Sequence, residues 1–298
     1  MREMSIYMVV AWYMQMRKLS CTIFLLFLVG VVWWTETAAD KLLRFFCVIC
    51  HDMEKKVLGL VTARGGSKSI PRKNIKLFLG RPLIALALDT LKKSGACDRV
   101  AVSTDDREIA DIAKNFGAEV PFVRPAELAQ DDTPTLPVIR HAVSWLKEHE
   151  HYEPDIVVLL EPTSVGKRPF HVRAVVEMLA RTGADCVLTV SEVPSDWHPH
   201  WQLTRDADAR VAIFTGGPMK RVIRRRQDLS KTYSCDSAVF AFKPHVLFAD
   251  EPSFYGDDTR GYVTEQKYAV DLDAPDDWEE AERRVKKILD DEDKIKTS

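Results

Sequence analysis

From Met53 onward, apolar runs of strand length alternate with segments of helical period, and this alternation restricts the fold more than any other feature. Residues 57–63, 99–103, 155–160 and 186–190 read as strands. Between them, Ile109, Ile112, Ala113 and Phe116 fall at i, i+3, i+4 and i+7, one face of a helix that Gly117 closes. Val172, Val175, Val176 and Leu179 repeat the spacing, with Pro169 where a first turn tolerates proline. Residues 135–150 form a further helix, and Trp278, Ala281, Val285 and Leu289 mark an amphipathic last one. "SAVFAF" and "KYAVDLD" read as two more strands. Strand–helix–strand order predicts an α/β fold: a mainly parallel sheet with helices on both faces. Ligands of such sheets bind beyond the carboxyl ends of the strands. That places residues 65–74, 103–106 and 161–168 on one rim. From 194 to 231 the alternation fails, and a stretch rich in Trp, His, Pro and Arg suggests a lid or dimer excursion.

The loop after the first strand, "ARGGSKSIPRKNI", carries the strongest chemical signal. It has neither G-x-x-x-x-G-K-[ST] nor G-x-G-x-x-G spacing. Gly65 and Gly66 nevertheless let backbone amides approach an anion. Arg64, Lys68, Arg72 and Lys73 add charge-assisted donors suited to a triphosphate. In "AVDLDAPDDW", Asp271 and Asp273 flank Leu272 and would face one side of a strand. On their own, two such carboxylates read equally as strand-end and helix-capping aspartates or as a seat for a hard divalent ion, and the cationic loop elsewhere favours the ion, Mg²⁺. Asp276 stands where it would cap the last helix. The run Lys220, Arg221, Arg224, Arg225 and Arg226 sits inside the excursion, where a guanidinium could clamp a carboxylate. The histidines, including the pairs His149/His151 and His198/His200, read as structural.

A net charge of −2 excludes a general nucleic-acid binder, so basic clusters are local sites. Hydrophobic residues make up 46% of the 298, enough for a full core. Of the six cysteines only Cys47 and Cys50 are close in sequence, and one such pair falls short of a four-ligand zinc site. Residues 1–52 form a separate leader. Arg17 and Lys18 precede the apolar run 21–34, too short for a membrane span and closer to a signal-peptide core. The favoured expectation is a misassigned start, with the domain on 53–298, a cytoplasmic location and no stable membrane partner.

Together these blocks resemble the acylneuraminate cytidylyltransferase family. "ARGGSKSIPRKNI" resembles its nucleotide loop, and "VSTDDREIADIAKNFGAEVPFVRPAELAQDDTPT" its second block. "LLEPTS", "RRQDLSKTYSCDSAVF" and "VDLDAPDDW" resemble three more. The resemblance implies a three-layer α/β/α nucleotidyltransferase fold, a homodimer, CTP and Mg²⁺. It implies that Arg64, Gly65, Gly66, Ser67, Lys73, Asn74, Arg124 and Thr135 bind the nucleotide. Glu161, Arg226, Gln227, Asp236 and Phe240 would face the sugar acid, and Asp271 and Asp273 would hold the metal. Arg64, Lys73, Asp271 and Asp273 would carry the chemistry. Departures cluster on the sugar side. Glu161 stands for a usual Gln, Val165-Gly166-Lys167 for Pro-Leu, Asp236-Ser237 for Asn-Gly, and Phe240 for Tyr. The identity of the acceptor, among sialic, legionaminic, pseudaminic or shorter keto acids, stays open. So do two rival readings: a nucleotidyltransferase with another base or sugar, and a non-catalytic homologue that keeps the scaffold.

Overall fold

The strand-length runs pair into one six-stranded sheet. A computed structural model describes residues 55–297 of the chain, and from Lys55 on these form one compact unit. The leader and the Cys47–Cys50 pair lie outside the described residues. In chain order the elements are β1 (Val57–Thr62), β2 (Leu77–Phe78), β3 (Arg81–Pro82), α1 (Leu83–Ser94), β4 (Arg99–Ser103), α2 (Arg107–Asn115), α3 (Thr135–Glu150) and β5 (Ile156–Leu159). Then follow α4 (Pro169–Thr182), β6 (Cys186–Glu192), β7 (Leu203–Arg205), β8 (Val211–Ile213), β9 (Tyr233–Phe242), β10 (Thr259–Thr264) and α5 (Asp277–Thr297). The sheet order is β10-β6-β9-β5-β1-β4. β1 is central to a parallel trio, with Leu58 opposite both Arg99 of β4 and Val157 of β5. β10 runs parallel to β6, and β9 runs antiparallel between β5 and β6.

Period-two alternation in the strands builds the two sides of the core. Val57 and Val61 of β1 join Val102, Val158 and Ala241 beneath α1, α2 and α4, whose Leu88, Leu91, Ile109, Val172 and Leu179 are buried there. Leu58 and Leu60 point the other way, with Leu159, Leu188 and Phe242, against Ile139, Val143 and Leu146 of α3. Three layers result, as expected. A third cluster joins Phe78, Leu83, Val165, Tyr268, Val270 and Leu272 to Trp278, Ala281, Val285 and Ile288 of α5. It pins the loop after β5 to the segment before α5, so it fixes the geometry of the candidate site.

Local signals set the helix ends. Asp106 caps α2, its Oδ1 accepting from the Ile109 amide at 2.9 Å. Pro169 is the first residue of α4, as its sequence position predicts. α3 spans the predicted 135–150. Asp276 directly precedes α5, but the carboxylate that ties the turn is Asp277, which accepts from the Ala274 amide at 2.7 Å and the Asp273 amide at 3.1 Å.

The strand expected in "KYAVDLD" is not there. Residues Gln266–Tyr268 make a 3-10 turn and 269–273 pair with no strand. Tyr268, Val270 and Leu272 do alternate inward, but against the third cluster rather than along a ladder. The place beside β6 is taken by β10, a segment the sequence left unassigned, whose exposed polar residues hide its strand character. The 194–231 excursion is irregular as expected, except for the small antiparallel hairpin β7–β8. Among the described residues, no helix is long and apolar enough to cross a membrane.

Candidate active site

β1, β4 and β5 are parallel neighbours, so the loops after them emerge on one rim. The Ala63 amide donates to Ser103 O at 3.1 Å, and the Leu160 amide donates to Leu60 O at 3.1 Å, carrying the register past the strand ends. The loop after β1 is then fastened from within. Asn74, buried, donates through Nδ2 to Arg64 O at 2.9 Å, closing the loop on itself. Gly65 donates its amide to Asp105 Oδ1 at 3.0 Å. A Cβ on Gly65 would lie 2.6 Å from Asp106 Oδ2, so only glycine permits this approach to the turn after β4. Gly66 and Ser67 lie further along the same loop, Gly66 exposed and facing open space.

The loop cations divide by role. Arg64 and Lys68 converge on one carboxylate, Asp131, at 2.9 and 2.5 Å, and Arg64 also donates to Gln130 O at 2.8 Å. Arg72 turns away, pairing with Asp106 at 2.5 Å and with Glu108 at the start of α2. That contact holds the Asp106 carboxyl below its ordinary value. Lys73 reaches across to Leu272 O at 3.0 Å, between Asp271 and Asp273. The expectation of four cations on one triphosphate is thereby narrowed. Arg64, Lys68 and Lys73 edge the rim, whereas Arg72 braces the loop.

Arg124 is buried beneath the rim. Its Nε donates to Ser103 Oγ at 3.0 Å and its Nη2 to Ser103 O, so it supports the end of β4. Burial pushes its guanidinium down to about 10, with Asp105 opposing and Arg64 adding to the shift. Thr135 is the first residue of α3.

On the other side of the rim, Glu161 follows β5. Burial, then the charges of Asp271 and Asp273, raise its carboxyl above the ordinary value, while Lys73 opposes them. These four side chains therefore share one electrostatic neighbourhood, assembled from three segments far apart in the sequence. Asp271 is half-buried and Asp273 exposed. Among the described residues, no three His, Cys, Asp or Glu side chains gather closely enough to hold a metal by themselves.

The remaining predicted residues lie apart. Arg226 and Gln227 are exposed on a 3-10 turn of the excursion. Phe240 packs on Phe254 and Tyr255, ring centroids 5.2 and 5.9 Å away, beside the second core cluster. Asp236 belongs to β9, and its side chain lies outside the description. His198 is buried and bonds Ser230 O at 2.8 Å, which fits its structural reading. Sequence reasoning passes over Asp105 and Asp131, and marks Lys167 only as a departure from the family's pattern. "STDD" and "QDD" look like ordinary turns until the fold sets them against the cationic loop.

Residues 58–242 match the family described as cytidylyltransferase. The chain is 31% identical over 235 residues to CMP-N,N'-diacetyllegionaminic acid synthase of Legionella pneumophila, covering 75% of this chain and 93% of that one. It is 30% identical to pseudaminic acid cytidylyltransferase of Campylobacter jejuni, covering 75% and 94%. With N-acylneuraminate cytidylyltransferase A of Danio rerio it shares 32% identity, over 78% of this chain and 51% of the fish protein. A solved structure of CMP:2-keto-3-deoxy-manno-octonic acid synthetase complexed with CTP superposes with a TM-score of 0.56 at 15% identity, over 77% of this chain and 98% of that one, which speaks to fold. With its parallel core, its glycine-opened cationic loop and this match over more than half its length, the chain belongs to the cytidylyltransferase family.

Proposed function

We propose that this protein transfers the cytidylyl group of CTP to a 2-keto sugar acid, giving the CMP-sugar and pyrophosphate. One observation carries the reading: the loop of Arg64 to Asn74 meets Glu161, Asp271 and Asp273 at the carboxyl ends of β1, β4 and β5, in a chain matching cytidylyltransferases over 58–242. The relatives named for legionaminic, pseudaminic and N-acylneuraminic acids define the acceptor class.

The anomeric oxygen of the sugar acid attacks the α-phosphorus, the bond to the bridging oxygen breaks, and pyrophosphate leaves with the electron pair. The hydroxyl proton passes to solvent. Such chemistry is mostly positioning and charge stabilisation. Arg64 and Lys68 exchange Asp131 for the β- and γ-phosphate oxygens. Lys73 stands between the nucleotide loop and the acidic loop, where charge builds on the α-phosphate. Asp271 and Asp273 would hold Mg²⁺, which supplies charge withdrawal from the phosphate oxygens. Two carboxylates suit an ion that takes its remaining ligands from phosphates and water. Glu161, Arg226, Gln227, Asp236 and Phe240 belong to the sugar side. The reading carries with it a homodimer formed through the 194–231 excursion, and a cytoplasmic location where CTP is available.

Pyrophosphate release tests it, with CTP, UTP and GTP each offered against a panel of sialic, legionaminic, pseudaminic and shorter 2-keto acids. Turnover with CTP and at least one acid is the expected result. Equal turnover with UTP or GTP would place the protein with another nucleotide. No calorimetric binding of CTP in the presence of Mg²⁺ would overturn the reading.

A further inference from the structure

Lys167 is an ammonium with almost no access to water, at 2% exposure, in a segment where this chain departs from its family's pattern. A buried charge is tolerated only with a counter-charge and hydrogen bonds. The fold presses Lys167 against the acidic loop. The neighbouring Gly166 donates its amide to Val270 O at 3.3 Å. A Cβ at Gly166 would sit 2.3 Å from Tyr268 O, so any side chain there would push the two loops apart. Lys167 itself donates through Nζ to Tyr268 O at 3.4 Å. Lys73 holds the far end of the same loop at Leu272 O, 3.0 Å away. Two ammonium groups thus bracket residues 268–272, and Asp271 is the acid between them.

Arg168, Lys267 and His171, which share this neighbourhood, are cationic or neutral and supply no counter-charge. Arg168 is cationic and engaged with Glu292 at 2.7 Å. Lys267 is cationic and paired with Glu265 at 2.9 Å. His171 stacks edge-on against Tyr268 with centroids 4.7 Å apart and accepts the Arg168 amide at Nδ1, 3.1 Å away. Burial first, then Lys167, Arg168 and Lys267, push His171 down to about 3, so it is neutral.

We infer that Lys167 is a positioning residue that holds the Asp271 carboxylate, from the buried side, in the orientation used toward nucleotide and metal. The inference deepens the proposed function and rests on it for that last use. The pairing of Lys167 with Asp271 stands without it. The ammonium offsets part of the repulsion among Asp271, Asp273 and Glu161, so the loop keeps its shape before nucleotide arrives. A lysine in this place, unlike one on the rim, cannot reach substrate: its charge ends on the acidic loop.

The test is a double-mutant cycle of K167M and D271N, read by thermal unfolding of the full chain without metal or nucleotide. Breaking a buried pair by removing one partner is costly, so K167M is expected to lower the midpoint by about 10 °C in the wild-type background. In the D271N background the same change is expected to cost less than half as much. Equal losses in both backgrounds would overturn the pairing, leaving Lys167 a prop for Tyr268 alone. Should K167M fail to fold, K167Q completes the same cycle. A kinetic readout then tests positioning. K167M is expected to lower kcat at least tenfold with the KM for CTP within about threefold, and K167R to recover part of the loss. An unchanged kcat in K167M would also overturn the role. Wild-type protein that ignores CTP while the cycle still shows coupling would remove the proposed function and leave the Lys167–Asp271 pair intact.

Discussion

On the proposed function, Arg64 would serve two states. Without nucleotide its guanidinium rests on Asp131 and Gln130 O, partly exposed, so removing it exposes no buried acid. Losing one preorganised donor to a developing charge costs about 3 kcal/mol, a hundredfold in rate. Arg64→Ala is therefore expected to lower turnover by about that factor while the unfolding midpoint barely moves, as pyrophosphate release and calorimetry would record. Asp273 is exposed, so Asp273→Asn is expected to fold normally and to lose most of its Mg²⁺-dependent activity. A variant with the wild-type response to Mg²⁺ titration would take Asp273 out of the metal site. Glu161 behaves differently because it is half-buried. Its carboxyl sits above its ordinary value of 4.5, so the folded protein keeps that proton to higher pH than the unfolded chain. Stability from this group is present at low pH and falls as pH rises through the folded value. Glu161→Gln, which carries no titrating proton, is expected to melt above wild type at pH 7.5 without metal and to match it near pH 4. The reverse order would mean that Lys73 outweighs burial and the two aspartates together.

At the level of elements, the loop after β5 and the last helix act as one piece. Arg168, ahead of α4, makes a forked contact to Glu292 of α5, with three bonds of 2.7 to 3.1 Å, both side chains mostly shielded. Forked guanidinium–carboxylate pairs are among the stronger polar contacts. Glu292→Ala is expected to cost about 2 kcal/mol, with faster amide exchange spreading through α5 while β1, β4 and β5 stay protected. Uniformly faster exchange would mean that α5 is cooperative with the sheet. The same third cluster explains why "KYAVDLD" reads as a strand and forms none. Alternating inward residues satisfy a strand pattern, but Tyr268, Val270 and Leu272 are buried by α5 and Val165, with no partner strand. Periodicity reports which residues point inward, and says nothing about what they meet there.

At the scale of the whole molecule, four of the exposed large hydrophobic residues among the described ones fall on the excursion. Trp197, Leu203, Val211 and Phe214 are all exposed, Phe214 at 65%. Exposed apolar residues gathered on one segment are the kind that association surfaces cover. The proposed homodimer predicts sedimentation at twice 33.9 kDa, and Phe214→Glu is expected to shift the protein toward monomer at micromolar concentration. A monomeric wild type would refute the dimer.

The sequence by itself determined the layers, most of the helices and the identity of the cationic loop, because each rests on local pattern, but it left the helix Leu83–Ser94 unassigned. Pro169 starts its helix, the 135–150 helix keeps its bounds, and Gly65 with Gly66 opens the loop where β1 ends. Tertiary structure alone decided which charges meet. Asp131 on Arg64 and Lys68, Arg72 on Asp106 instead of the rim, and Lys167 beneath the acidic loop all depend on chain segments that approach only after the sheet orders. Side-chain period is fixed by backbone geometry within a few residues. Electrostatic neighbours are fixed by packing between distant ones, and no short-range pattern encodes them.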